Sequence, residues 1–243
     1  MLKNVFRSES IKLKRSFLLY FHLVALIIFP VLLGLYYGNR KSAVTTTTMV
    51  TIFYELLAIS SPIVISIVIS LVFDREEKAG HCKNWLTIPS ARGLIIQLQL
   101  FYYWVLYFIE IIGMSLLYFL ILRFAFRVNG LSFIKIFLTS FIFAIFGFLQ
   151  YEITQWLVLK FNVGGAMILG FFGLVFTCLS ITNLFDFIWP VVPWAWQMRL
   201  MSFWLAGITS QVQSWTTMAM AVPVILTLGL PFLIIKSFNN WQN

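Results

Sequence analysis

A chain of 243 residues that is 61% hydrophobic, 18% aromatic and only 10% charged lacks the polar surface of a water-soluble globule, which carries roughly 25% charged residues. The net charge of +9 does not describe a nucleic-acid surface. Five of the seventeen basic residues (Lys3, Arg7, Lys12, Lys14, Arg15) crowd ahead of the first apolar run, where anionic headgroups would meet them. Mean hydropathy is +0.94, and the apolar runs are nearly unbroken, so they read as membrane-crossing helices of ~20 residues rather than as the ~10-residue alternating strands of a barrel. The fold class expected is an all-α integral membrane protein, one domain over 1–243 with six transmembrane helices.

Residues 1–16 read as an interfacial helix. At 100° per residue Leu2, Val5, Phe6 and Leu13 share one face, and Lys3, Arg7 and Lys14 form a basic flank. The alternative is plain basic flanking with no defined helix. No small-residue cleavage site follows, so this is not a removable signal peptide. Span one is expected at 17–37, span two at 50–73, span three at 94–122, span four at 133–159, span five at 166–185 and span six at 216–235. The KFNVGG stretch turns the chain between spans four and five.

Lys and Arg set the orientation. With six spans, one side holds the five N-terminal basic residues plus Arg75, Lys78, Lys83, Arg92, Lys160 and Lys236. The other holds Arg40, Lys41, Arg123, Arg127, Lys135 and Arg199. The positive-inside rule puts both termini in the cytoplasm.

The most polar stretch, DREEKAGHCKNWLTIPSARG at 74–93, is a cytoplasmic loop in this topology. Read as a helix, it gathers Ala79, Cys82, Trp85 and Leu86 on one side and turns Glu76, Glu77 and Lys83 away, and Pro89 marks its end. Such a helix can bind a cytosolic surface with a buried aromatic anchor. An interfacial loop with no partner is the simpler reading.

Two carboxylates, Glu110 and Glu152, fall inside spans three and four. Charge at the bilayer centre costs ~3 kcal/mol or more, so these groups face protein or water. They can attract a cationic peptide or bias a conformational change. The plainer alternative is that each pairs with Lys, Tyr or Gln between helices, or lies close enough to an interface to stay wet. Five tryptophans, Trp189, Trp194, Trp196, Trp204 and Trp215, lie between spans five and six. Trp favours the headgroup region, so 186–215 is expected in or dipping into the outer interface, broken by Pro190 and Pro193. It serves as an aromatic anchor or as a capture surface for an amphipathic peptide.

No phosphate-binding loop, nucleophile elbow or metal-ligand pattern is present. His22 and His81 stand alone, and Cys82 and Cys178 read as small apolar fillers. No catalytic residue, metal or chain-bound cofactor is expected, and an intramembrane enzyme is disfavoured. Energy for any work must come from a partner.

Glu76, Gly80, Leu86 and Pro89, followed by Ser90 and Arg92, resemble the loop between the second and third spans of ABC-type-2 permeases. The six-span layout, the basic N-terminal helix and the long connection before span six are similar too. The resemblance implies that 74–93 is a coupling helix docking in a groove of a cytosolic ATPase. Glu76, Glu77, Gly80, Trp85, Leu86 and Pro89 would mark transmission, and ATP and Mg would be used by that partner. Two further stretches, QWLVLKFNVGGAMILG at 155–170 and PWAWQMRL at Pro193–Leu200, resemble permeases of lantibiotic-immunity transporters, the E type more than the G type. That narrower resemblance implies a bacterial cell membrane, two ATPase copies, a second homologous permease, and a lantibiotic peptide as cargo. Glu110, Glu152, Trp194 and Trp196 would be its substrate or gating residues. The alternatives are an exporter of another substrate, such as a drug or ion, and a non-transporting membrane scaffold, which would need no coupling helix.

Overall fold

The computed structural model of the chain describes residues 2–14, 16–80, 92–206, 219 and 221–239, and every regular element among them is helical. α1 covers Leu2–Lys14, α2 Phe17–Gly38, α3 Thr46–Lys78, α4 Arg92–Leu120, α5 Phe133–Leu179, α6 Pro193–Ala206 and α7 Ala221–Asn239. Among the described residues four helices, α2 to α5, are long and apolar enough to cross a membrane.

Ser16 separates α1 from α2. Its backbone is extended and its hydroxyl accepts the amide of Leu18 at 3.1 Å, which caps α2 and lets the chain change direction there. One side of α2 is an exposed apolar row including Phe17, Tyr20, Val24 and Ile28. Its other side meets α4, where a Cβ added to Gly34 would lie 2.7 Å from Ile121 Cγ2. Without a hydrophobic driving force between helices in lipid, such small residues let backbones approach and gain dispersion contacts.

α3 is the most buried of the four long helices and extends beyond the expected 50–73 at both ends. Thr45 caps its start, its hydroxyl accepting from Thr48 N at 3.2 Å. At the other end the polar run Asp74–Lys78 remains helical because its charges find partners, described below. Gly80, at φ +146°, then ends the helix in a backbone region that only glycine enters freely.

α4 presents a buried stripe of Tyr103, Tyr107, Ile111, Met114 and Tyr118, the i, i+4 spacing of one helical face. Its tyrosines bridge to α3: Tyr107 OH and Ser61 Oγ are 2.8 Å apart, and Tyr118 OH donates to Met49 O at 3.0 Å. Tyr54 of α3 reaches Ser115 Oγ of α4 at 3.3 Å and also bridges to α5, 2.8 Å from Ser140 Oγ and 3.0 Å from Ile136 O. α4 runs into a π-turn over Ile121–Ala125. Beyond it Lys41 Nζ donates to Phe126 O and Thr46 Oγ1 to Asn129 O, joining the two loops at that end of the bundle.

α5, 47 residues long, breaks at Phe161 (φ −126°, ψ 15°) and Asn162 (φ 58°, ψ −168°), inside the expected KFNVGG turn. Register along α3 shows the reversal. In the first arm Ser140 meets Tyr54, and Gly147 meets Tyr107, which is bonded to Ser61. In the second arm Gly170 lies against Ser66 and Pro62, and Gly173 against Pro62. The first arm therefore advances with α3 and the second runs back along it.

Three expectations need correcting in the C-terminal third. The helix expected to reach residue 185 ends at Leu179, because Thr182 turns extended and its hydroxyl donates to Leu179 O at 2.6 Å. The tryptophans do not face the outer interface together. Trp189 and Trp196 are fully buried, Trp196 with its indole N–H satisfied by Pro190 O at 2.9 Å, and a satisfied indole is free to pack as a large apolar plate. The exposed apolar side chains here are Leu184, Phe187, Ile188 and Val191. The last described helix, Ala221–Asn239, packs against α4 and α5. Residues 216–218 and Trp215 lie outside the described residues. Cys178, expected to be a buried filler, is exposed.

Candidate functional site

The expected helix over 74–93 places Glu76 with Glu77 and Lys83, opposite Ala79, Cys82, Trp85 and Leu86. Instead Glu76 occupies the last turn of α3 and is 1% exposed. It sits in a four-charge cluster joining α1, α3 and α4. Lys12 Nζ bridges Glu76 Oε1 at 2.7 Å and Glu9 Oε1 at 2.8 Å. Arg75 Nη2 reaches Glu9 Oε2 at 2.7 Å and Glu76 Oε1 at 3.2 Å. From α4, Tyr103 OH donates to Glu9 Oε2 and accepts from Arg75 Nη2, both at 2.9 Å, and Gln99 Nε2 donates to Glu76 Oε1 at 3.3 Å.

Two carboxylates and two cations make the cluster neutral, the condition under which buried charge is tolerated. Burial pushes the Glu9 carboxyl up. The Lys12 ammonium, by hydrogen bond and by charge, outweighs this with Arg75 and Tyr103 behind it, so Glu9 is held below its ordinary value of 4.5. An apolar contact backs the cluster: Phe6 meets the Tyr102 ring edge-on at 5.1 Å, and Tyr102 OH donates to Ser10 Oγ at 3.1 Å. The interfacial helix expected at 1–16 is thus clamped onto the bundle, with Leu13 buried beneath it.

Of the other coupling residues, Glu77 is exposed and Gly80 provides the positive-φ stop. Trp85, Leu86 and Pro89 lie outside the described residues, as do Cys82 and Lys83. Glu9 was missed by sequence reasoning. Its one local signal is Lys12 three residues on, an ordinary helical pair spacing.

The membrane carboxylates are placed apart. Glu110 Oε2 is 2.6 Å from His22 Nδ1 of α2, both groups being nine-tenths buried. The histidine read as solitary is therefore the partner of the carboxylate, and the pairing with Lys, Tyr or Gln expected for Glu110 is corrected to His. Glu152, fully buried on the first arm of α5, accepts from Gln97 Nε2 of α4, the Gln pairing expected. Its Oε2 is buried with no hydrogen-bond partner among the described residues. Trp194 is half-buried against Gly173, and Trp196 belongs to the core beside Phe146, so neither forms an open capture surface with the two glutamates. Gln197, next in sequence, donates to Tyr107 OH and Phe143 O, both at 2.9 Å. No group of three or more metal-ligating side chains occurs among the described residues.

Long apolar helices packed around buried polar bridges define a multi-pass membrane protein. The model of the ABC-2 family transporter protein matches residues 5–180, from α1 through both arms of α5, and the chain belongs to that family. It is the membrane component of a transporter whose partner is a cytosolic ABC ATPase. Comparison with curated proteins and with solved structures found no match.

Proposed function

We propose that this chain is the permease subunit of an ABC exporter that removes a membrane-embedded cationic peptide of the lantibiotic type from a bacterial cell membrane and so protects the producing cell. The chain crosses the membrane six times, through α2, α3, α4, the two arms of α5, and α7, with both termini in the cytoplasm. The antiparallel arms of α5 support this count. The ATPase, in two copies, docks on the segment that follows α3, with Glu77, Trp85, Leu86 and Pro89 on or beside its contact surface. A second homologous permease completes the assembly.

The observation that carries the reading is the position of Glu76. The residue that the ABC-type-2 loop pattern places at the ATPase contact is rooted in the α1–α3–α4 cluster. A push delivered beyond Gly80 meets a rigid, charge-locked joint and passes to three helices at once. Gly80, at positive φ, marks the end of the joint. The cargo assignment draws on the likeness of 155–170 and Pro193–Leu200 to lantibiotic-immunity permeases. It also draws on the buried carboxylate of Glu110, a group that attracts a cation.

The test co-expresses the chain with its ATPase and companion permease in a sensitive host and follows cell-bound against released lantibiotic. Release into the medium that stops with a hydrolysis-dead ATPase is expected. Release that persists with the dead ATPase would defeat the mechanism, and survival with all peptide still cell-bound would make the chain a sequestering scaffold.

A further inference from the structure

Between α2, α3 and α4 lies a cavity of about 140 Å³, walled by Ala25 and Phe29 of α2, Leu57 and Ser60 of α3, and Glu110 and Met114 of α4. A cavity of about 150 Å³ holds one benzene-sized group, and whole-ligand sites run to several hundred Å³. This one is sized for a single side chain or a short alkyl stem. Its wall is apolar apart from hydroxyls and one carboxylate. Ser60 Oγ donates to Leu57 O, Ser61 Oγ to Leu57 O, and Tyr107 OH is engaged by Ser61 and Gln197. Glu110 uses Oε2 for His22, and among the described residues Oε1 has no hydrogen-bond partner. His22 Nε2 is likewise buried and unpartnered.

A carboxylate next to an apolar slot calls for a ligand with a cationic head on an apolar stem. Neither half suffices alone: an alkyl chain leaves the charge uncompensated, and a small hydrated cation gains nothing from the slot. Glu110 stands seven residues past Tyr103, about 10 Å along α4 from the α1 level, so the ligand must be a molecule that already resides in the bilayer. We infer that the Glu110–His22 pair and this cavity form a binding subsite for an alkylammonium group, the carboxylate taking the ammonium at Oε1 while the stem fills the slot. His22 occupies Oε2, so Oε1 is the oxygen left for the incoming ammonium. A lysine side chain of an amphipathic peptide and the head of an aminolipid share this chemistry. The inference deepens the cargo reading above and rests on it only for what is transported.

Photolabelling of the full chain in membranes tests it, using a diazirine-bearing alkylamine against the alcohol of the same length. The amine is expected to label the peptides carrying Leu57 and Met114 at least tenfold over the alcohol, in competition with unlabelled alkylamine. Glu110→Gln should erase the amine's advantage. Ser60→Leu, which fills the slot and leaves the carboxylate alone, should lower labelling by the amine several-fold even if Glu110→Gln fails to fold. His22→Gln should keep amine labelling. Displacement by a lysine-containing amphipathic peptide but not by its acetylated form identifies cargo as the source, and displacement by an aminophospholipid identifies lipid. Equal labelling by amine and alcohol, an unchanged amine preference in Glu110→Gln, or displacement by neither competitor overturns the site. No ATPase or transport enters this assay, so its failure and the failure of the exporter reading are separate results.

Discussion

Arg75→Met removes one cation from the α1 cluster while keeping most of the side chain's apolar length. Glu9 and Glu76 then share Lys12 alone, and both are more than nine-tenths buried. Breaking a buried ion network by deleting one partner costs about 3–5 kcal/mol. Arg75 itself keeps 23% exposure, which favours the low end, about 3 kcal/mol. At ~1.4 kcal/mol per decade this raises the undocked population of α1 roughly 100-fold. The readout is a cysteine introduced as Ser10→Cys at the Tyr102 contact, with Cys82 and Cys178 replaced by Ala. Inside-out vesicles are treated with a membrane-impermeant maleimide, and the labelling rate follows the opening equilibrium when reclosing is fast. Lys78→Met is the control. The Lys78–Asp74 pair is 2.7 Å long but its lysine is exposed, and such pairs contribute roughly 0–1 kcal/mol. The rate should rise about 100-fold in Arg75→Met and less than about fivefold in Lys78→Met. Equal rates in Arg75→Met and the parent would refute the clamp.

Three further outcomes follow from the same geometry. Because Glu9 titrates below its ordinary 4.5, its docking contribution is fully present above that value and is lost as pH falls through the lower folded value. A spin label attached through Ser10→Cys should stay immobilised from pH 7 to 5 and gain mobility only below 4.5, whereas release near neutrality would contradict the cluster. Gly173→Val places a Cβ 2.5 Å from Trp194 Cδ1 and 2.8 Å from Pro62 Cβ, while Gly164→Ala meets nothing within 4 Å. Overpacking of this kind costs about 1–3 kcal/mol, so thermal unfolding of the purified protein should shift down by several degrees for the first and hardly at all for the second. Asn162→Gly relieves a positive φ of 58° at the α5 break and should raise stability by about 1 kcal/mol, with Asn162→Val moving it the other way.

The bundle was legible where one physical signal dominates. Residues 17–37 form a single uninterrupted apolar window, and α2 occupies Phe17–Gly38. KFNVGG combines a residue that tolerates positive φ with two glycines, and the break falls at Phe161 and Asn162. Hydropathy misled at Asp74–Lys78, because polarity looks like loop until the counter-charges are seen. Those partners lie 64 and 66 positions away in α1, beyond the reach of any periodicity. Glu9 stayed hidden in a segment counted for its cations. His22 and Glu110, 88 positions apart, each looked solitary for the same reason. Trp194 followed packing space beside Gly173 and Trp196 that beside Phe146 rather than a preference for headgroups, which a composition argument cannot foresee.

In the proposed mechanism the ATPase drives this permease through a joint rooted at Glu76. It is tested most directly by measuring lantibiotic release from cells carrying the ATPase, the companion permease and either the parent chain or Glu76→Gln, at matched expression and matched recovery of the assembled complex. Glu76→Gln is expected to assemble with the ATPase and to lose release at least tenfold. Parental release by the assembled Glu76→Gln complex would contradict it.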